Sequence, residues 1–215
     1  MVHFVFIMKY HTHRYRLSFT FGGLLIPEMR AVAETWLREG DWNATKAKVL
    51  EQNVLGKTRI STQKRYLGEI SSRLQHAYPW EISALMESEA PQVAYAIVAR
   101  YYQLIGDVAV QVVRPELKLG RTDIDTSRIR AFIADQARAH RPLDMATVST
   151  REKLFSVMIR CFREAGIFTT QRGPVVGVQR LVLSSPLYQK YCSSGTAQDL
   201  ARMLWTDKEI AQCTQ

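Results

Sequence analysis

One stretch of this chain limits its fold more than any other: the mostly apolar run VAYAIVARYYQLIGDVAVQVV at residues 93–113. Arg100 and Asp107 lie inside it, and each such charge at the centre of a bilayer costs roughly 2.5–3.5 kcal/mol on the translocon insertion scale. The stretch therefore predicts a helix buried at the centre of a helical protein, without membrane insertion. Gly106 marks the position at which this helix is expected to bend or divide in two.

Proline, glycine and capping residues mark out two shorter helices earlier in the chain. In LLIPEMRAVAETWLREG, residues 24–40, Pro27 favours a helix start and Gly40 favours the helix end. In the next stretch, DWNATKAKVLEQNVLG, Asp41 and Asn43 are suitable N-cap residues for a second helix. Together with the buried stretch, these helices predict a mainly α fold.

Two segments repeat one pattern at an offset of 88 residues: ISTQKRYLGEISSRL begins at residue 60, and VSTREKLFSVMIRCF begins at residue 148. Both have Ser and Thr at their second and third positions, and three apolar positions also correspond. These are Leu67, Ile70 and Leu74 in the first segment, and Phe155, Met158 and Phe162 in the second. A predicted helix and a short turn precede each segment, so each resembles a helix-turn-helix unit, whose second helix can enter a major groove.

The starts of the two repeated helices also contain residues suited to capping. Ser61 or Thr62 is expected to cap the first helix. In the second, Ser149 and Glu152 have the spacing of an S-x-x-E capping box, and Gly166 is expected to end the helix.

The residues after Gly166 differ in composition from the rest of the chain, because they are rich in β-branched side chains. IFTTQ (167–171) and VQRLVLS (178–184) are predicted as strands joined by a Gly/Pro turn around RGPVVG. A helix followed directly by a β-hairpin is the ending of a winged helix-turn-helix unit.

The predicted fold is therefore mainly α: a helical bundle with two helix-turn-helix-like units, of which the C-terminal one is winged with a short β-hairpin. Pro115 and the polar stretch KLGRTDIDT suggest a boundary between two parts. The predicted divisions are an N-terminal helical domain at 19–114, a linker at 115–126, a winged C-terminal domain at 127–192 and a helical tail at 193–215.

The charge of the chain indicates a polyanionic partner. Lys and Arg number 29 against 20 Asp and Glu, which gives a net charge of +9 and an isoelectric point near 9.6. Several cations cluster at the starts of the repeated helices, where they oppose the helix dipole and are better suited to phosphate contact than to helix stability. The predicted DNA contacts are Lys57, Arg59, Ser61, Thr62, Gln63, Lys64, Arg65, Ser149, Thr150, Arg151, Lys153 and, in the wing turn, Arg172. Further contacts are expected from Arg160, Arg163 and a stripe of Arg128, Arg130, Arg138 and Arg141.

The cysteines and the catalytic motifs give mainly negative expectations. Cys161, Cys192 and Cys213 are far apart and lack zinc-ligand spacing, so neither a disulfide framework nor a metal site is expected. A reducing, cytoplasmic compartment fits this pattern. The sequence contains no GxxxxGK[ST], GxSxG or HExxH motif, so we expect a protein that is not an enzyme and needs no cofactor.

Three stretches of the chain together resemble one protein family. They are FTFGGLLIPEMRAVAETWL, VLEQNVLGKTRISTQKRYLGEISSRL and STREKLFSVMIRCFREAGIF. The family elements correspond here to Gly23–Glu28, Asn53–Leu55, Arg59–Arg73 and Ser149–Gly166. On these stretches the chain resembles the BrxA family, the small A component of BREX bacteriophage-exclusion systems.

The resemblance implies a non-enzymatic member of a bacterial phage-defence cluster whose other subunits methylate host DNA and block phage replication. Together with the basic residues at the two helix starts, this resemblance predicts that the partner is double-stranded DNA. Binding is expected to occur mainly through the phosphates. Two alternatives remain open at this point. One is an RNA-binding protein, since the family has been likened to the NusB fold; the other is an adaptor that binds other BREX components.

Overall fold

The computed structural model describes residues 15–20, 22–169 and 173–214, and it is mainly α-helical, as predicted. The α-helices are α1 Ile26–Glu39, α2 Trp42–Glu51, α3 Ile60–Leu74, α4 Pro79–Ala84, α5 Ala90–Tyr101, α6 Gln103–Val108, α7 Arg114–Lys118, α8 Ser127–Ala139, α9 Arg141–Asp144, α10 Val148–Ala165, α11 Ser185–Ser193, α12 Ala197–Arg202 and α13 Asp207–Ala211. Two strands, β1 Asp123–Asp125 and β2 Val175–Gly177, form a small antiparallel sheet. Short 3-10 turns at Ser18–Thr20 and Gln212–Thr214 and a π-helical segment at Ala109–Val113 complete the assigned helical elements.

The local signals near the start of the chain are confirmed. Pro27 occupies the first turn of α1, and Gly40 ends this helix in a left-handed conformation with φ of 70°. The Asp41 side chain caps α2 by accepting hydrogen bonds from the backbone N–H groups of Asn43 and Ala44, both at 2.8 Å.

The apolar stretch lies at the centre of the protein, as predicted. Every residue from Val93 to Ala99 has no solvent exposure. The helix is interrupted at Tyr102, whose φ and ψ of −105° and 86° are not helical, and not at Gly106. Gly106 instead permits close packing, because a Cβ atom there would lie 2.7 Å from the carbonyl oxygen of Ala99. No helix in the described part of the chain is long and apolar enough to cross a membrane.

The two charges inside this stretch have specific partners. The Arg100 guanidinium donates to both carboxylate oxygens of Glu81 at 2.8 Å and to Asp199 at 2.6 Å. Burial lowers the pKa of Arg100, but its bonds to these two carboxylates outweigh burial and raise the pKa above its ordinary value. Asp107 accepts a hydrogen bond of 2.7 Å from the hydroxyl of Tyr15. The charges that argue against a membrane span thus join α5 and α6 to the rest of the core.

A second buried arginine fixes the turn that precedes α1. Arg73 of α3 has no solvent exposure, and its Nη1 donates to the carbonyl oxygens of Gly23 and Leu24, both at 3.1 Å. On the other side of the turn, the backbone N–H of Leu24 donates to Glu164 of α10 at 2.6 Å. We call this group of four residues the arginine clamp. It joins α3, α10 and the start of α1.

The predicted β-hairpin is present only in part, and β2 has a partner that the sequence did not indicate. β2 pairs with β1, which comes from the predicted linker, in the register that places Ile124 opposite Val176. In the described residues of the predicted strands 167–171 and 178–184, an antiparallel bridge joins Phe168 to Val178, and residues 170 and 171 lie outside the described part. Residues 179–184 form no strand. Instead, the backbone N–H of Leu181 donates to the carbonyl of Met203, which follows α12.

The elements on both sides of the predicted linker share one buried cluster. α5 packs against α1 and α3, which precede it, and also against α10 and α12, which lie beyond the linker. The division into an N-terminal and a C-terminal domain stays a prediction.

The expectation of no disulfide is wrong. Cys192 of α11 is bonded to Cys213, with 4.7 Å between their Cα atoms. The two cysteines are 21 residues apart in sequence, and α12 and α13 reverse the chain between them. Spacing alone does not reveal such a pair. The remaining cysteine, Cys161, is buried.

The arginine clamp predicts opposite effects for two glycine-to-alanine substitutions. A Cβ atom at Gly23 would overlap the Glu164 carboxylate, whereas one at Gly68, in the middle of α3, meets open space. We expect Gly23→Ala to lower the free energy of unfolding by about 1–3 kcal/mol. Gly68→Ala should raise it by about 0.5–1 kcal/mol, because alanine favours the helix. Urea unfolding measures both, and equal effects would contradict the clamp.

The disulfide predicts a specific thiol count. Burial raises the pKa of Cys161 to about 12, so its thiolate is scarce at neutral pH. Native protein without reductant should therefore show no reactive thiol with a colorimetric reagent. Denaturation should reveal one thiol, and reduction should reveal all three. Three thiols before reduction would show that Cys192 and Cys213 are not bonded.

Candidate nucleic-acid interface

The first predicted basic cluster lies at the start of α3. Arg59 is the N-cap residue, and no side chain caps the helix. The first turn contains no acidic residue. Ser61 and Thr62 lie inside this turn, so the prediction that one of them caps the helix is wrong. Lys64 and Arg65 follow on the exposed side of the helix.

Two other residues of this cluster have structural roles. The Lys57 ammonium forms an ion pair with Glu28 at 3.0 Å and lies 4.3 Å from the centre of the Tyr66 ring. Gln63 is only 3% exposed. Its amide donates to the backbone carbonyls of Val49 at 3.1 Å and Leu50 at 3.4 Å, which holds α3 against α2. Gln63 therefore does not face solvent.

The second cluster lies at the start of α10, but its cap differs from the prediction. Thr147 is the N-cap residue and accepts from the backbone N–H of Thr150 at 3.2 Å. The predicted capping box of Ser149 and Glu152 is wrong. Glu152 instead accepts hydrogen bonds from Arg130 of α8 at 3.2–3.3 Å.

The basic residues at this helix start face different surroundings. Arg151 turns back to the preceding loop and donates to the carbonyls of Ala146 at 3.1 Å and Asp144 at 2.9 Å. Lys153 and Ser149 are exposed, and Thr150 is partly exposed. Arg172 lies outside the described residues.

The two repeated segments are equivalent in three structural respects. α3 and α10 begin at Ile60 and Val148, which have the same offset as the sequence repeat. Gln63 and Arg151 occupy the same position, and both donate to backbone carbonyls that precede their helix. All six matched apolar residues are buried: Leu67, Ile70, Leu74, Phe155, Met158 and Phe162. The helix-turn-helix interpretation of these units stays a prediction.

Most arginines of the predicted α8 stripe are paired with acids. Arg128 lies 2.6 Å from Glu116, and Arg138 lies 3.4 Å from Asp135. Hydrogen bonds from Arg121 and Arg128 hold the pKa of Glu116 below its ordinary value, so this carboxylate remains charged. Arg160 of α10 is similarly paired with Glu164 at 2.7 Å, and the remaining stripe residue, Arg141, is exposed.

A groove of about 410 Å³ separates α8 from α10 next to β2. The Arg130 guanidinium lies 3.7 Å from the centre of the Phe155 ring, and both residues line this groove. Arg163 and Pro174 line its other end. The groove therefore has an aromatic wall and two arginines beside the second cluster, and one of these arginines, Arg130, is already paired with Glu152.

Exposed cations without an acidic partner are few at the two helix starts. Within the part of the chain that the structure describes, Arg59, Lys64 and Lys153 are exposed and form no ion pair. Arg65 lies beside Lys64 and is also exposed, but it differs from these three because its charge acts on the carboxylate of Glu69. These four residues form what we call the basic helix-start surface.

The prediction from sequence missed the arginine clamp, although its residues lie in the stretches that carry the family resemblance. A signal was present. Arg73 lies between Ile70 and Leu74 on the apolar side of α3, where a charge is expected only with buried partners.

Comparisons with known proteins agree on one family. The sequence model of the BrxA family matches residues 13–178. A BREX protein BrxA from Escherichia coli O9:H4 (strain HS) is 24% identical over 154 residues, which cover 70% of this chain and 72% of that protein. A BREX protein BrxA from Paramagnetospirillum magneticum (strain ATCC 700264 / AMB-1) is 26% identical over 164 residues, which cover 74% of this chain and 81% of that protein.

A solved structure has the same fold. The crystal structure of an uncharacterized protein from Magnetospirillum magneticum superposes with a TM-score of 0.74 at 22% identity. The superposition covers 89% of this chain and 98% of that chain. At this identity the likeness concerns the fold.

The observed cap of α10 predicts which of two substitutions destabilises the protein. Thr147→Ala removes the side-chain oxygen that accepts from the N–H of Thr150 and should lower the free energy of unfolding by about 0.5–2 kcal/mol. Ser149→Ala removes a hydroxyl of the first turn that caps no backbone N–H and should change stability by less than about 0.5 kcal/mol. Thermal unfolding of both variants decides between Thr147 and Ser149 as the cap. The reverse ranking would restore the capping box.

Proposed function

This chain belongs to the BrxA family, and from that premise we propose that it is the non-enzymatic component of a BREX phage-defence system that binds duplex DNA. Binding occurs mainly through phosphates and so depends little on base sequence. The proposal places the protein in the cytoplasm because DNA and other BREX components are there. The cysteines no longer support this placement, since Cys192 and Cys213 are bonded.

The observation that supports DNA binding most strongly is the basic helix-start surface. In α3, Arg59, Lys64 and Arg65 surround a helix N-terminus whose first turn contains no acid. A cation at a helix N-terminus opposes the helix dipole, at a cost of about 0.3–1 kcal/mol for Arg59 at the N-cap and less for Lys64 and Arg65, which lie beyond the first turn. An external phosphate removes this cost, because it interacts favourably with both the cations and the helix N-terminus.

The start of α10 offers the same chemistry with fewer cations. Lys153 is exposed, and the hydroxyls of Ser149 and Thr150 lie beside it in the first turn. Hydroxyl groups and backbone N–H groups are frequent donors to phosphate oxygens. We therefore assign the main electrostatic contribution to α3 and a weaker, positioning contact to α10.

An adaptor role within the BREX assembly is the second candidate, and one observation favours it. The groove between α8 and α10 combines Arg130 and Arg163 with the apolar wall of Phe155. An acidic segment with an apolar side chain from another BREX component would fit this chemistry. This role is compatible with DNA binding, because the groove and the start of α3 involve different residues.

Charge reversal at the start of α3 tests the DNA-binding proposal. The double variant Lys64→Glu/Arg65→Glu should weaken binding to a labelled duplex several-fold, because phosphate attraction becomes repulsion. Lys64 is exposed and forms no ion pair, whereas the charge of Arg65 favours the carboxylate of Glu69 one turn along α3, so the free energy of unfolding should fall by no more than about 1 kcal/mol. Fluorescence anisotropy measures the affinity, and urea unfolding measures the stability.

The matched control carries the same change in net charge elsewhere. Arg38→Glu/Lys190→Glu reverses two exposed cations on α1 and α11, outside the basic helix-start surface. This control should lose much less affinity. Equal losses in both variants would mean that only net charge matters, and an unchanged affinity in the α3 variant would exclude α3 as the contact. Structured RNA as a competitor then tests the RNA-binding alternative.

A further inference from the structure

The C-terminal segment places two carboxylates on cations from distant parts of the chain. Asp207, the first residue of α13, accepts from Arg114 at 2.7 Å and from Lys118 at 2.5 Å, both on α7. Glu209 pairs with Arg180, which lies between β2 and α11. α13 therefore lies against a basic surface that the other elements form without it.

The exposed ion pairs themselves contribute little to stability, although the Arg180 guanidinium also lies 4.8 Å from the centre of the Trp205 ring. The side chains of Lys118, Arg180 and Asp207 are 41%, 48% and 73% exposed, and ion pairs this exposed contribute little to folding. Arg114 differs from the other two cations, because it is nearly buried and also donates to the carbonyl of Trp205 at 2.7 Å. Lys118 and Arg180, in contrast, are paired with carboxylates and still exposed to solvent, so an external ligand can reach them.

The acidic segment is tethered at both ends. Before α13, Trp205 stacks on Tyr188 of α11 with 4.6 Å between ring centres, and the Tyr188 hydroxyl donates to the carbonyl of Glu209 at 2.8 Å. After α13, Cys213 is bonded to Cys192 of α11. A tethered group competes with external ligands at a high effective concentration. The hydrogen bond from Lys118 holds the pKa of Asp207 below its ordinary value, so the competing carboxylate is ionised at neutral pH.

We propose that Lys118 and Arg180 form a second binding site for nucleic-acid phosphates, which Asp207 and Glu209 occupy in the absence of DNA. In the absence of DNA, the carboxylate oxygens of Asp207 and Glu209 bind the two cations that phosphate oxygens would otherwise bind. Duplex DNA must displace them to use this site, so the C-terminal segment weakens binding. This site extends the proposed duplex binding and rests on it.

The double variant Asp207→Asn/Glu209→Gln tests this site. Both replacements keep the shape of the side chain, and glutamine can retain the capping box that Glu209 forms with Thr206. We expect at least about fivefold tighter duplex binding at low salt, without reductant so that the disulfide stays closed. The slope of log K against log salt should steepen by about 1–2, since each added phosphate contact contributes about 0.9.

Two controls distinguish an effect of this site from an effect of net charge. Glu34→Gln/Glu51→Gln makes the same change in net charge at two exposed ion pairs of α1 and α2, and should give a much smaller gain. Adding Lys118→Gln/Arg180→Gln to the Asp207→Asn/Glu209→Gln variant should abolish the gain.

The outcomes distinguish this inference from the proposed function. If the wild-type protein binds duplex and the Asp207→Asn/Glu209→Gln variant binds no better, the second site is excluded and DNA binding stands. If the Asp207→Asn/Glu209→Gln and Glu34→Gln/Glu51→Gln variants gain the same affinity for duplex, the gain comes from net charge and the second site is also excluded. If only the Asp207→Asn/Glu209→Gln variant binds, the carboxylates mask the site as proposed. If neither it nor the wild type binds, both proposals fail.

Discussion

The arrangement of the helices depends on the buried guanidinium of Arg73. It donates to the carbonyl groups of Gly23 and Leu24, which precede the N-cap residue Leu25 and therefore lie outside the hydrogen-bond pattern of α1. Glu164 binds the N–H of the same turn from α10, so two helices 88 residues apart in sequence are joined through one short loop. The ends of α3 and α10 are thereby fixed in the core. Their N-terminal turns are held at the surface, where the basic residues lie.

The parts of the fold that local physics controls could be predicted from sequence. Pro27, Gly40 and Asp41 act within one helical turn, and the buried stretch at 93–99 follows from composition alone. The errors concern distant partners. The strand partner of β2 is more than forty residues away along the chain, and the cysteine pair meets only because α12 and α13 reverse the chain.

In the candidate site, too, the sequence could not show which side chains bind distant parts of the chain. The sequence identified the cations at both helix starts, and Lys64, Arg65 and Lys153 are indeed exposed. It did not show that Gln63 turns inward to α2 or that Arg151 turns back to its own loop, because both depend on carbonyl groups outside the helix. Gln63 and Arg151, each the third residue after its helix start, thus bind the preceding segment, and the exposed residues next to them are the ones that a ligand can contact.

The family assignment and the basic helix-start surface, whose chemistry suits phosphates, support the same function. In this function the exposed cations at two helix starts neutralise DNA phosphates, and the dependence of duplex binding on salt tests this most directly. With about three to four phosphates neutralised by Arg59, Lys64, Arg65 and Lys153, log K should fall against log salt with a slope of about −3, similar for unrelated sequences. A slope near zero, or no binding at low salt, would contradict the claim.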